Sequence, residues 1–225
     1  MPWCELCDEA CDGPIPICLA CHAELPWLQT ACICCSVPLT GSHMRCGTCL
    51  SHPPAFTQSI MPWRYAFPVD RLITAFKHQG KWPYGRVLAD VLIQNLRNQY
   101  AHGLPKPDVL IPTPLSAKRL RRRGFNQAQM LTRWLSHALD IPYQESLVRV
   151  TDTPTQQGLT AKARQKNLRA AFALTQSVKN LHVALIDDVL TTGATANAMA
   201  TALIQAHAVR VDVYCLARTP APGEQ

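Results

Sequence analysis

Two adjacent acids, Asp187 and Asp188, stand between an apolar run at 183–186 and a short polar string that includes Thr191, Thr192, Gly193, Ala194 and Thr195. The apolar run has the pattern of a strand buried on both faces of a parallel sheet. Thr192, Gly193, Ala194 and Thr195 have the pattern of a tight turn opening a helix near Thr195. A helix start offers free N–H groups and the positive end of its dipole, and together these bind phosphate. The acids fall at the carboxyl end of the strand, where open α/β sheets hold their ligands. Carboxylates repel a phosphate but accept hydrogen bonds from neutral hydroxyls. Acids beside a phosphate cradle therefore suit a sugar phosphate. The competing reading is an ordinary buried strand capped by a polar turn, but it leaves two buried acids uncompensated.

Eight cysteines form four Cys-x-x-Cys pairs: Cys4 with Cys7, Cys18 with Cys21, Cys32 with Cys35, and Cys46 with Cys49. Adding 28 to the first four numbers gives the second four, so one small unit is present twice. Four thiolates at this spacing match a closed tetrahedral zinc site, which is structural because it keeps no open position. Pairing neighbours puts Cys4, Cys7, Cys18 and Cys21 on one ion and Cys32, Cys35, Cys46 and Cys49 on the other. The spacing also admits a crossed pairing between the copies. Residues 1–9 show neither a basic n-region nor an apolar h-region, so the chain reads as cytoplasmic and its thiols as reduced rather than disulfide-bonded. Cys11, Cys34 and Cys215 are left over as core or surface thiols.

A second strand pattern, at 108–111, runs into Pro112, Thr113 and Pro114 and then into Lys118, Arg119, Arg121, Arg122 and Arg123. These bases repel one another unless an anion sits among them. They follow a strand end on the sheet edge expected for the acids, where a pyrophosphate would need neutralising charge. Arginine's fork grips phosphate oxygens in pairs. The bland alternative is a solvated charge run. Another basic stretch, 156–169, contains Lys162, Arg164, Lys166 and Arg169, of which Lys162, Lys166 and Arg169 share a face if helical. As a surface element it reads as a hairpin with a helix.

The elements that must position these groups alternate. Helix patterns occupy 69–78, 87–98, 126–138 and 195–207, and strand patterns occupy 108–111, 181–186 and 209–217. Strands separated by helices predict an α/β fold, a parallel sheet with helices on both faces, over 56–225. Residues 1–55 form a separate cysteine module, with residues 52–54 as the linker. The module carries a net charge of −4 and the remainder +11, so the formal +7 hides a dipolar molecule. No apolar run approaches the length of a membrane span.

The acid-pair string resembles the motif by which type I phosphoribosyltransferases bind phosphoribosyl pyrophosphate (PRPP). The resemblance implies that Asp187 and Asp188 hold the ribose hydroxyls and stabilise charge growing on the ribose. The turn from Thr191 to Thr195, with Thr113 and Pro114, would hold the phosphates together with Mg²⁺. It also implies that 156–169 is a flexible arm that closes over the sugar.

The whole pattern is similar to the ComF/GntX-like family, a double zinc ribbon followed by a type I phosphoribosyltransferase-like domain. Three features carry this similarity. The first is the paired cysteine units. The second is the string from Ile111 to Leu115 with Lys118, Arg119 and Arg123-Gly124-Phe125-Asn126-Gln127-Ala128. The third is the stretch from Gln156 to Phe172 ahead of the acids. The family implies a role in natural transformation, handling incoming single-stranded DNA, with a DNA-uptake helicase or other competence proteins as partners. The competing function is a salvage transferase moving phosphoribose to a base. Trp63, Tyr65, Phe67, Phe76 and Trp82 are candidate stacking groups under either reading, whereas the positive excess favours nucleic acid.

Overall fold

The computed structural model describes residues 3–41, 43–150 and 171–220. The chain opens with the two cysteine units, which carry the short helices α1 (Leu19–Ala23) and α2 (Gly47–Ser51). Strands β1 (Gln58–Ile60) and β2 (Trp63–Arg64) follow, then helices α3 (Val69–Gln79) and α4 (Trp82–Ala101). Next come β3 (Val109–Pro112), α5 (Ala117–Arg123), α6 (Gln127–Leu139) and β4 (Leu147–Arg149). The last described elements are β5 (Phe172–Leu174), β6 (His182–Ile186), β7 (Val189–Leu190), α7 (Ala194–Gln205), β8 (Arg210–Tyr214) and β9 (Ala217–Arg218).

The expected parallel sheet is present, with strand order β1-β8-β6-β3. Val109, Ile111, Val183, Leu185, Val211 and Val213 pack on α7, while Leu110, Ala184, Ile186 and Tyr214 face α3, α4 and α6. This alternation follows from the two-residue period of a strand and leaves helices on both faces. Gly85 on α4 lets Phe76 of α3 lie against its backbone, because a Cβ there would meet the ring at 2.6 Å.

The predicted strand at 209–217 is interrupted. β8 stops at Tyr214 and β9 resumes at Ala217, and β1/β2 and β6/β7 break in the same way for two residues. Beyond the break the strands continue as a small parallel sheet, β2-β9-β7. Helix α4 starts earlier than its apolar period suggests, because Pro83 lies in the first turn, where no backbone donor is required. The basic run at 118–123 is a helix, α5: the Ser116 hydroxyl accepts from Arg119 N at its start and Gly124 ends it at φ 81°. Its arginines crowd the last turn, where the helix dipole favours cations.

The 28-residue repeat is visible in space. The bridge Trp3–Ala10 recurs as Ala31–Pro38, the left-handed Asp8 as Ser36, and the capping Cys18 as Cys46. Strands β4 and β5 pair antiparallel and flank the undescribed stretch 151–170. Among the described residues, no helix is long and apolar enough to cross a membrane.

Candidate functional site

The acid pair occupies the two-residue break between β6 and β7. Asp187 N donates to Tyr214 O at 3.0 Å, and Asp188 O accepts from Leu216 N at 3.0 Å. In an unbroken strand two consecutive side chains point to opposite faces, and the break frees the adjacent acids from that alternation. After β7 the chain enters the turn. Gly193 takes φ 75°, which a side chain would resist, and caps α7 with no side-chain acceptor. Ala194 N donates to Thr192 Oγ1 at 3.3 Å, and the next N–H groups of the first turn, those of Thr195 and Ala196, are the ones that could meet a ligand. Thr191, Thr192 and Ala194 are exposed, and Gly193 and Thr195 are half-buried.

Thr113, Asp187, Thr191, Gly193 and Thr195 line one small cup of about 60 Å³. Pro114 follows Thr113 and is half-buried. Asn126 Nδ2 donates to Thr113 O at 3.0 Å and fixes this end of β3 against the start of α6.

Burial, reinforced by the neighbouring Asp188 charge, pushes the Asp187 carboxyl up to about 7. Asp188 is buried and pairs through Oδ1 with Lys77 Nζ at 2.9 Å. Its Oδ2 is buried without a hydrogen-bond partner among the described residues. An orphaned carboxylate oxygen in a site lined by hydroxyls and helix-start amides fits a ligand hydroxyl or a ligand-borne cation.

Lys77 and His78 belong to the site, although no local pattern marks them. Both lie in the last turn of α3, more than a hundred residues before Asp188. Burial and then the charges of Arg123, Lys77 and Arg122 hold His78 below its usual range, so α3 and α5 meet here. Arg123 is half-buried and donates to Gln127 Oε1. Lys118, Arg119, Arg121 and Arg122 are exposed. The structure thus brings Arg123 to the acids and leaves the other four bases on an open surface. Lys162, Arg164, Lys166 and Arg169 lie outside the described residues.

The proposed stacking aromatics divide. Trp63 and Phe76 are fully buried in the core and cannot meet a base. Tyr65 is half-buried, whereas Phe67 and Trp82 are exposed.

The cysteines form two clusters by the neighbour pairing. Cys4, Cys7, Cys18 and Cys21 make one and Cys32, Cys35, Cys46 and Cys49 the other, with all four sulfurs of each within 4.8 Å of one another. The Cys7–Cys18 and Cys35–Cys46 sulfurs are 3.7 Å apart. Zinc with bonds of about 2.3 Å would set tetrahedral sulfurs about 3.8 Å apart. Backbone N–H groups overcome burial to bring Cys4 down to about 6 and Cys32 to about 7. Cys21 is pushed well up by its neighbouring thiols, and Cys49 by burial and then by Cys35. Full ionisation of either cluster therefore calls for a cation, and the donor sets fit zinc.

The chain is 36% identical over 205 residues to DNA utilization protein YhgH of Escherichia coli O157:H7, covering 90% of each. It is 40% identical over 178 residues to competence protein F of Haemophilus influenzae, covering 77% of this chain and 78% of that one. The chain belongs to the ComF/GntX-like family. Competence protein ComFC of Bacillus subtilis is 30% identical over 159 residues, 69% of this chain and 58% of the relative. No family model matches the chain. Among solved structures it is similar to a purine phosphoribosyltransferase from Pyrococcus horikoshii, with 20% identity and a TM-score of 0.36 over 58% of this chain and 70% of that one. Membership of the ComF/GntX-like family ties together the two four-cysteine clusters and the parallel-sheet domain that follows them.

Proposed function

We propose that this chain is a competence-type protein that handles single-stranded DNA, retains a PRPP site and carries two structural zinc ions. One observation carries the PRPP part. Thr113, Asp187, Thr191, Gly193 and Thr195 line a single cup, the Asp188 oxygen near it has no partner among the described residues, and Lys77 and Arg123 bring positive charge to the acids. A ribose 5-phosphate matches this set, with the phosphate on the turn and the hydroxyls on the acids. Asp187 and Asp188 would stabilise positive charge growing at the ribose if pyrophosphate leaves. Mg²⁺ brought with PRPP would neutralise the pyrophosphate oxygens.

The DNA part is supported by the relatives' names, which refer to competence and DNA utilization, and by the charge of α5, whose Lys118, Arg119, Arg121 and Arg122 side chains are exposed. Such a surface binds phosphates by releasing condensed cations, so affinity falls as salt rises, with little preference for sequence. A DNA-uptake helicase or another competence protein is the kind of partner that fits this role.

Calorimetry with PRPP and Mg²⁺ tests the site. Asp187→Ala with Asp188→Ala should abolish binding while the fold survives, and wild-type affinity in the double variant would show the site to be elsewhere. Changing Arg121, Arg122 and Arg123 together to alanine should flatten the slope of log affinity against log salt by about two units, at roughly 0.7 per lost contact. The intact acid pair favours one further reading, transfer of phosphoribose to a salvage base. Turnover of PRPP with any base in a screen, together with an unchanged salt slope in the arginine variant, would establish that reading instead.

A further inference from the structure

We infer that Trp82 is a nucleobase-stacking platform at the end of the basic surface, and that its partner is a base of single-stranded DNA. This rests on the single-strand reading and names the residue through which that reading would hold a base.

Trp82 is the first residue of α4, two residues beyond the glycine that ends α3. It is 55% exposed, whereas Trp63 is fully buried. Its ring meets Phe125 edge-on, at 6.4 Å between centroids and 61° between planes. Phe125 in turn packs on Phe76 at 5.7 Å, and Phe76 on Trp134 at 6.0 Å. The exposed ring is therefore the outermost of a chain of rings rooted in the core, which limits its rotamers and keeps a face available.

The surroundings select the partner. Phe125 follows Arg123 by two residues, so the platform adjoins the C-terminal end of α5. Lys81 precedes Trp82 directly, and His78 lies one turn earlier, in the field of Arg122, Arg123 and Lys77. A planar apolar face bordered by cations fits a planar base on a phosphate backbone, and stacking on an aromatic accepts any base because each has a π-face. Apolar peptide partners would not call for the cations, and a purely phosphate ligand would not call for the ring.

The test uses the full zinc-loaded chain and a thymidine oligonucleotide of about 12 nucleotides, within the span of a single-strand site. Fluorescence anisotropy is followed across a salt series. Trp82→Ala should weaken binding about tenfold with the salt slope unchanged, since stacking releases no counterions. Trp82→Tyr should retain most of the affinity. Trp82→Leu keeps an apolar contact for Phe125 but no π-face, so it should bind as weakly as Trp82→Ala, which guards against a folding artefact. A strand carrying 5-iodouracil should photocrosslink to the peptide containing Trp82.

Wild-type affinity in Trp82→Leu, with weakened binding in the triple arginine variant, would overturn the platform and leave the single-strand reading standing. Unchanged binding in both would overturn both. If Trp82→Leu spared the oligonucleotide but weakened binding of free adenine beside PRPP, the platform would serve an acceptor base and the inference would fail.

Discussion

The two cysteine units repeat one geometry, yet the chain uses them differently. In the first, Ile15, Ile17 and Leu25 are buried and join the core formed by α3, α4 and α6. Twenty-eight residues on, the equivalent positions are His43, Arg45 and Pro53, all exposed. The second unit is held instead by polar contacts. Ser36, which replaces the exposed Asp8, hydrogen-bonds the Ser59 hydroxyl at 2.8 Å. Arg218 Nε donates to Cys35 O at 2.8 Å while Nη1 donates to Leu190 O at 3.2 Å. Leu190 immediately precedes the turn at Thr191–Thr195, so one guanidinium ties a cluster cysteine to that turn. Ala55 N also donates to Asn197 Oδ1 at 2.6 Å, in the first turns of α7. A metal knuckle can thus anchor through apolar side chains that feed a core or through hydrogen bonds that clamp a loop, and duplication supplied one of each.

The largest effect should come from the clusters themselves. Cys18→Ser should lose one zinc by elemental analysis and lower the stability of the whole chain by about 3 kcal/mol or more, since two or three buried aliphatic side chains lose their support. Cys46→Ser should lose the other zinc, leave the main melting transition nearly in place and weaken PRPP binding. Equal losses of stability from the two variants would break the comparison. Next, Ile17→Ser should cost about 2–4 kcal/mol in denaturant unfolding, while Arg45→Ala at the equivalent position should stay within about 0.5 kcal/mol.

Arg218→Met should be smaller, about 1–3 kcal/mol, from carbonyls left unpaired. Its distinguishing readout is faster amide hydrogen exchange at 190–195, with the first cluster retaining its zinc against a chelator. The smallest effect concerns pH. Asp187 has a raised pKa, so between about 4 and 7 the folded chain binds a proton that the unfolded chain has released. Stability therefore falls as pH rises through that window. Asp187→Asn should remove this slope, and Arg218→Met should not.

Much of this was legible in the sequence, and the reasons differ by region. The cysteine spacing and its repeat are local, so the cluster membership of Cys4 through Cys49 could be read directly, leaving only the choice between neighbour and crossed pairing to the fold. The apolar run before Asp187 and the periods of α3 and α6 are likewise local. The ion pair of Lys77 with Asp188 was not legible, because it depends on how α3 lies across the sheet and no pattern near either residue encodes that. The burial of Trp63 and Phe76 is hidden for the same reason: an aromatic near a site is core or platform according to which helix covers it. The break at 215–216 is hidden because Cys215 and Leu216 continue the apolar pattern of 209–217, and β1, β2 and β7 are too short to set a pattern of their own.

The segment joining the two units also runs beside the sheet. Arg64 N donates to Pro26 O at 2.9 Å, Leu28 N to Pro62 O at 2.8 Å, and Ser59 N to Ile33 O at 3.3 Å. The outer sides of β1 and β2 are thereby covered by chain that the two clusters pin at either end, while residues 142–144 cover β3 on the opposite side. An uncovered strand edge is a template for other chains. Zinc held by the two clusters would consequently protect this protein against self-association. Chelation should be followed by light scattering from strand-to-strand aggregates before the parallel sheet itself has melted.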